Sequence, residues 1–150
     1  MLRMKTVSID MFFDPQRVVR PAEAAHRKQL IQAGAFVRTA ARSSIRSRRR
    51  VSAAGQPPSS HTGLLKRFIF FGSDPARQSV IVGPMALNSK GGSGPETLSA
   101  LEHGGSSTYV EGIRQRRRKK RIRVAARPFM GPALAQEAPK FPGLWKNSVR

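Results

Sequence analysis

The sequence contains no cysteine, which excludes a disulfide-stapled fold and any zinc or iron–sulfur site that needs thiolate ligands. Acidic residues are scarce, with 8 Asp and Glu against 28 Lys and Arg. No apolar run approaches the roughly 20 residues that a membrane-spanning helix needs. Asp10 and Asp14 fall where a secretory signal would carry its apolar stretch. We therefore expect a protein made in the cytoplasm and without a membrane partner.

The side chains that enzymes use are few and scattered. The three histidines, His26, His61 and His103, stand at no metal-ligand spacing from one another or from a carboxylate cluster. Ser60 precedes His61 without a nucleophile-elbow motif, and 91–94 (GGSG) lacks the Lys-Ser/Thr of a phosphate-binding loop. The pattern predicts no catalytic residue, no metal and no cofactor. An enzyme such as a nuclease would need metal-binding carboxylates, so the sequence favours a protein that is not an enzyme.

Positive charge is what the sequence has in excess, a formal +20 on 150 residues. Charges crowded to this degree repel one another, and a polyanion or an acidic partner surface relieves the repulsion. Phosphate backbones are the commonest such partner, because binding releases their condensed counterions. The total charge does not choose between DNA, RNA and an acidic protein.

The excess is concentrated in two runs, at 46–50 and at 114–123. Like charges at this density stay extended until an acidic group neutralises them, so both runs are predicted to contact phosphates or an acidic partner. Such contacts carry no base preference. The predicted contact residues are Arg46, Arg48, Arg49, Arg50, Arg114, Arg116, Arg117, Arg118, Lys119, Lys120, Arg121 and Arg123.

The first half of the chain predicts a long helix followed by a β-hairpin. Small and apolar residues recur at three- and four-residue steps from Pro21 to Ile45, which indicates one amphipathic helix able to sit close to its neighbour. Asp14-Pro15 could open a helix, but Pro21 is expected to break any turn begun there. Strands over 64–71 and 77–82 with a turn between them predict the hairpin.

The second half predicts shorter elements. A short helix over 95–103 is followed by a strand start at 109–110, and a half-buried strand near 122–126 places the run 114–123 at the tip of a long hairpin. A final helix from 131 to about 137 precedes an apolar tail that we expect to dock on the body or on a neighbour. The fold class is α+β, with a long N-terminal helix on a small antiparallel sheet and one or two short C-terminal helices.

The domain organisation follows from these elements. One domain is expected over 21–145, after an N-terminal arm of residues 1–20 and before a C-terminal tail of residues 146–150. Its connecting segments are rich in Gly, Ser, Pro and arginine, and they predict flexible basic loops at 46–63, 85–95 and 112–121.

Several short segments recur in a characteristic order after the long helix: a Gly-Leu at 63–64, VIVGP at 80–84, LEHG at 101–104, ARPFM at 126–130 and PAL at 132–134. Together they resemble the tail-component family of neck and tail-completion proteins of long-tailed bacteriophages. The similarity covers most of residues 20–145; the run at 114–123 is more basic than is usual there. The family-motif residues are Gly63, Leu64, Gly83, Pro84, Glu102, Gly104, Arg127, Pro128 and Phe129.

The resemblance implies a structural virion protein at the head-to-tail junction. Such a subunit is expected to form a homo-oligomeric, hexameric ring that joins the capsid connector to the tail, after synthesis in the host cytoplasm. Its partners would be neighbouring neck, connector and tail proteins, with the DNA in the channel as an additional candidate. Composition leaves one alternative open, a non-catalytic nucleic-acid-binding protein of the ribosomal or architectural kind.

Overall fold

The structure is a computed structural model that describes residues 14–85, 95–111, 118–146 and 148. Residues 1–13 of the predicted arm, most of the predicted loop 85–95 and the residues at 112–117 lie outside the described residues. The elements are α1 (Gln16–Ser44), β1 (Arg46–Ser47), β2 (Ser59–Ser60), α2 (Leu64–Arg67), β3 (Ile69–Asp74), β4 (Ser79–Pro84), α3 (Pro95–His103), β5 (Gly105–Glu111), β6 (Arg118–Val124), α4 (Met130–Glu137), a 3-10 turn (Ala138–Lys140) and α5 (Phe141–Trp145).

These elements confirm the α+β class, with the long helix first and short helices last. The single small sheet of the prediction is divided. Among the described strands there are three two-stranded pairings, of which β3–β4 and β5–β6 are antiparallel and β1–β2 is parallel. The parallel pair lies inside the segment 46–63, which the sequence predicted as a loop. None of the described helices combines the length and the apolar character needed to cross a bilayer.

Helix α1 begins at Gln16, so the predicted start at Pro21 was wrong. Asp14 Oδ1 accepts a hydrogen bond from the Gln16 amide at 3.0 Å, and the Val19 amide reaches Pro15 O at 2.9 Å. A turn is therefore already formed when the chain reaches Pro21, whose missing N–H removes one helical hydrogen bond. Packing of the later turns stabilises the helix as a whole. Residues 16–20, assigned to the arm by the sequence, belong to the helix.

The inward side of α1 is made of small residues, as its spacing predicts. Ala33, Gly34, Val37, Ala40 and Ala41 are buried. A Cβ built on Gly34 would lie 2.5 Å from Val80 Cγ1 and 3.2 Å from Phe71 Cδ2. Distances under 3.0 Å force a neighbour to move, so the glycine is what lets α1 lie directly on the β3–β4 hairpin.

The hydrophobic core lies where α1, β3 and α4 meet. Ile45, Ile69 and Phe129 are its largest fully buried side chains. Leu65 of α2, Val82 of β4, Leu101 of α3 and Met130 of α4 pack against this centre. Arg38 donates from Nε to Ile69 O at 2.8 Å, which ties the polar edge of α1 to the first residue of β3.

The predicted β3–β4 hairpin is present, although both strands lie further along the chain than the sequence indicated. The register runs from Ile69 opposite Pro84 to Asp74 opposite Ser79. Residues 64–67, predicted as the strand entry, form α2 instead, because Gly63 takes a left-handed conformation (φ 74°) and the Arg67 amide bonds back to Gly63 O at 3.0 Å. Gly83 and Pro84 extend β4 rather than ending it, and the turn moves to residues 75–78.

The β5–β6 hairpin confirms the predicted long second hairpin, but its strands have other limits than the sequence indicated. Gly105 pairs with Val124, and Glu111 pairs with Arg118. Residues 118–121, predicted to belong to a loop, are therefore strand. The half-buried alternation predicted near 122–126 is confirmed at Val124 and Ala126, which are partly buried, while Arg121, Arg123 and Ala125 are exposed. It fails at Ile122, which is 39% exposed.

The C-terminal helices close over α1. Helix α4 starts at Met130 and packs along α1, and α5 follows after the 3-10 turn. Trp145 donates from Nε1 to His26 Nδ1 at 3.1 Å, with the two ring centroids 5.9 Å apart. The expected docking of the apolar tail on the body is confirmed for this part of it.

Candidate functional site

The family-motif residues of the C-terminal half meet at the start of α4, around the carboxylate of Glu102. Its Oε2 accepts hydrogen bonds from the amides of Phe129 at 2.9 Å and Met130 at 3.2 Å, and its Oε1 accepts one from Gly131 at 2.8 Å. Phe129, the residue at the N-cap position, offers no side-chain cap of its own. Glu102, at the end of α3, therefore caps a helix that begins 28 residues later in the sequence.

This cap is physically strong for its size. The first amides of a helix have no partner within the helix, and the peptide dipoles give that end a partial positive charge. A carboxylate that accepts three of these amides satisfies both the hydrogen bonds and the charge. The negative charge of Glu102 is thus used inside a basic chain to join α3 to α4.

Gly104 brings the end of α3 against the segment that follows β6. Its φ of 80° is the left-handed conformation that commonly ends a helix. A Cβ at this position would lie 3.3 Å from the Ala126 amide nitrogen, and the neighbouring Arg127 amide donates to Leu101 O at 2.7 Å. Glycine is required here both by the backbone angle and by the close approach of the second segment.

Arg127 connects this cluster to the loop after β1. Its Nε donates to Ser52 O at 3.0 Å and its Nη1 donates to Ala125 O at 3.3 Å. The Gly55 amide donates to Ala126 O at 2.8 Å in the same region. The segment 126–129 thus crosses the end of α3, and its last two residues point toward the interior: Pro128 is partly buried, and Phe129 is buried in the core.

The motif residues of the first half are placed around the β3–β4 hairpin. Pro84, opposite Ile69, lines a small cavity together with Glu102 and Phe129, so the end of β4 reaches the cluster around the α4 cap. Gly83 pairs with Phe70. Gly63 begins α2, and Leu64 is 44% exposed while its neighbour Leu65 packs on the core. Gly63 and Leu64 therefore shape α2 and contribute nothing to the α4 cap.

The first predicted run of arginines is fully on the surface. Arg46, Arg48, Arg49 and Arg50 are all exposed, Arg46 within β1 and the others in the loop that follows. The second run is only partly described. Arg118 and Lys119 belong to β6 by their backbone, Lys120, Arg121 and Arg123 are exposed on it, and Arg114, Arg116 and Arg117 lie outside the described residues.

The β5–β6 hairpin has two unlike faces. Arg123 is paired with Ser106 and Arg121 with Thr108, so these four residues share one face, and Arg121 Nη2 donates to Ser106 Oγ at 2.9 Å. The opposite face carries Ser107, which is buried and forms a short hydrogen bond between its hydroxyl and that of Thr97 in α3. The cationic and hydroxyl face is therefore turned away from α3.

A cavity of about 210 Å³ with both polar and apolar walls lies between the loop after β1, the region of β2 and Arg127. Its apolar wall is formed by Val51, Pro58, Leu65 and Leu101. The residues that line the cavity are far apart in the sequence, between positions 48 and 127. Its polar lining is Arg48, Arg49, Ser52, Ser59, His61 and Arg127.

Sequence reasoning also missed the outer face of the β3–β4 hairpin. Phe70, Ile81 and Met85 are exposed there, at 45%, 65% and 62%. Phe68 meets Phe70 edge to face with ring centroids 6.2 Å apart, and the Arg38 guanidinium lies 5.9 Å from the Phe70 ring centroid. The run LLKRFIFF contains the signal, because apolar residues at successive strand positions must point to both faces.

The described residues contain no group of three or more histidine or acidic side chains placed to hold a metal ion. Comparison of the chain with protein-family models, with curated proteins and with solved structures found no match in any of the three. The assignment of function therefore rests on the residues and their geometry.

Proposed function

We propose that this chain is a structural, non-catalytic virion protein of a tailed bacteriophage, a ring-forming subunit at the head-to-tail junction that joins the capsid connector to the tail. The observation that carries the proposal is the cluster around Glu102. The motif residues named from the resemblance include Glu102, Gly104, Arg127 and Phe129, and these meet in one hydrogen-bonded crossing. They lie in two short segments, 102–104 and 127–129, which this one crossing joins.

Two surface features support a role in an assembly. The outer face of β3–β4 exposes a patch of large apolar side chains, and such patches commonly mark contact sites between proteins. The exposed arginines supply the opposite kind of surface, one that an acidic neighbour or a DNA strand would neutralise. A ring of six copies, assembled with its neighbours in the neck, would use both surfaces at once.

The test is a phage genome with a stop codon in this reading frame. Without the protein we expect DNA-filled heads and separate tails in electron micrographs, and a loss of infectivity. A plasmid with the wild-type gene should restore joined particles, whereas Glu102→Ala should not. Glu23→Ala, which removes an exposed carboxylate from α1, is the matched control and should restore them. Normal, infectious particles in the absence of the chain would refute the proposal.

A second candidate function is a non-catalytic nucleic-acid-binding protein of the ribosomal or architectural kind. The cationic face of β5–β6 favours it, because exposed guanidinium groups beside hydroxyl groups are the donors that contact phosphates. Co-purification with ribosomes or bulk RNA at moderate salt, together with absence from phage particles, would support this candidate against the first.

A further inference from the structure

We propose that the cavity lined by Arg48, Arg49 and Arg127 binds a phosphate group of a nucleic-acid backbone. This inference deepens the proposed function, because it names the chemistry of one partner and the site that receives it. The site differs from the basic runs as the sequence presents them. It combines two arginines of the first run with Ser52, Ser59, His61 and Arg127, which lie outside both runs.

Arg127 gives the cavity a positioned cation. Its guanidinium is held by the carbonyls of Ser52 and Ala125, through Nε and Nη1. Within the described part of the chain, these two bonds leave Nη2 without an acceptor. A guanidinium fixed in this way loses little side-chain entropy when an anion arrives, so its contribution to binding is larger than that of a freely moving surface arginine.

Ser52 provides an independent sign that the cavity receives a ligand. The residue is 3% exposed, and its hydroxyl Oγ has no hydrogen-bond partner among the described residues. Buried hydroxyl groups in folded proteins are normally paired, because an unpaired one costs free energy. Ser52 lies in the wall of the cavity and its hydroxyl oxygen is closed off from solvent, so a small rotation of the side chain would be needed to bring the hydroxyl to an anion oxygen there.

The arrangement fits phosphate better than carboxylate. A carboxylate is planar and is matched by the paired N–H groups of a single arginine. Here the side chains of three separate segments, at 48–52, at 61 and at 127, surround one volume, while the Ser59 hydroxyl in its wall donates to Arg50 O at 2.7 Å. A phosphate group offers acceptor oxygens in several directions to such a set. None of the residues lining the cavity is Phe, Tyr or Trp.

The surroundings fit a continuous backbone rather than an isolated anion. Arg46 and Arg50, both exposed, flank the cavity residues in sequence and supply cations for adjacent phosphates. Contacts of this kind bind without base preference. This agrees with a subunit that would touch DNA of any sequence as it passes.

The experiment follows backbone amide signals of the full-length, ¹⁵N-labelled protein by NMR during a titration with inorganic phosphate, against chloride at equal ionic strength. We expect saturable shifts at Ser52, Ser59, His61 and Arg127. The double variant R48Q/R49Q should weaken this binding about tenfold or more. The matched control R17Q/R77Q removes the same charge from two arginines that are 87% and 83% exposed and lie outside the cavity, and it should bind phosphate within about twofold of wild type.

Ser52→Ala separates binding from folding, because the two effects have opposite signs. The variant removes the unpaired hydroxyl, so the free protein should melt at the same temperature or higher, while phosphate binding weakens. A lower melting temperature with unchanged phosphate binding would assign Ser52 a structural role and overturn its part in the site. The absence of any saturable shift with phosphate, or an equal loss in R17Q/R77Q, would overturn the site itself.

The biological source of the phosphate is distinguished by three competitors: a mixed-sequence DNA duplex, RNA of the same sequence, and a polyglutamate peptide of equal charge. DNA or RNA should displace phosphate from the cavity, and R48Q/R49Q should reduce the slope of log affinity against log salt by about 2. Displacement by the peptide alone would overturn the proposal in favour of an acidic protein surface. Joined particles with normal necks that carry R48Q/R49Q would count against this site while leaving the proposed role in the particle intact.

Discussion

The two antiparallel hairpins are built alike and stabilised differently. Both are two-stranded, and a two-stranded hairpin alone is marginal in water. The β3–β4 hairpin lies on α1 and buries Ile69 completely, whereas the described residues cover β5–β6 on the face that carries Ser107, beside α3. Burial of apolar side chains stabilises β3–β4, whereas β5–β6 carries the exposed cations Lys120, Arg121 and Arg123. The exposed cations of β5–β6 thus lie apart from the apolar contacts that hold β3–β4.

The largest effect is expected at Phe129, which lies in the hydrophobic core beside Ile69 of β3. Phe129→Ala should lower the free energy of unfolding by about 3 to 5 kcal/mol, because it leaves a cavity among Ile45, Ile69 and α4. Urea unfolding followed by circular dichroism measures the change. A cost under about 1 kcal/mol would mean that the core lies elsewhere than between these elements.

Glu102 should have the next largest effect, because its carboxylate joins α3, which packs beside β5, to α4, which packs on α1. Glu102→Gln keeps one oxygen acceptor but loses the charge, and should cost about 1 to 2 kcal/mol of unfolding free energy. Glu102→Ala removes all three hydrogen bonds and should cost about 2 to 3 kcal/mol. The ordering of the two variants in urea unfolding is the decisive result. A Glu102→Gln variant as stable as wild type would show that the charge contributes nothing to the cap, and equal costs for the two variants would show that a neutral acceptor contributes nothing.

Gly34→Ala tests how closely α1 approaches β3–β4. The added methyl meets Val80 Cγ1, so strain should outweigh the higher helix propensity of alanine and give a net loss of about 1 kcal/mol. Val80→Ala in the same chain should recover part of that loss, which a double-mutant cycle would measure as a coupling. Simple additivity of the two changes would contradict the contact.

The smallest effect on stability belongs to the cationic face. R121Q/R123Q should change the free energy of unfolding by no more than about 0.5 kcal/mol, because both side chains are exposed. The same variant should weaken binding to a DNA duplex and make that binding less sensitive to salt. A large loss of stability would abolish the distinction between the two hairpins.

Local patterns predicted the elements whose causes are local. The spacing of small residues indicated α1 and its inward face, and Gly104 marked the end of α3 correctly. Residues 64–67 misled because four residues with two leucines fit a strand as well as a helical turn, and the choice depends on the backbone angle of Gly63. Pro21 misled because the packing that stabilises the helix lies well beyond it.

The site could be predicted only in part, because its geometry joins distant segments. The resemblance singled out Glu102 and Arg127 but assigned them no contacts, since their partners lie in other elements. The arginine runs were visible as charge. Ser52 and His61 carry no signal in the sequence, and only the fold brings them beside Arg127.

The cap that Glu102 of α3 provides to α4 has a consequence for the order in which the chain folds. Helices of eight residues are too short to persist by themselves in water, and α4 depends on a carboxylate from a helix that precedes a complete hairpin. We expect α4 to become stable only after β5 and β6 have paired and returned the chain to α3. Its docking along α1 would then be a late event, with Glu102→Gln accelerating unfolding while leaving the folding rate nearly unchanged.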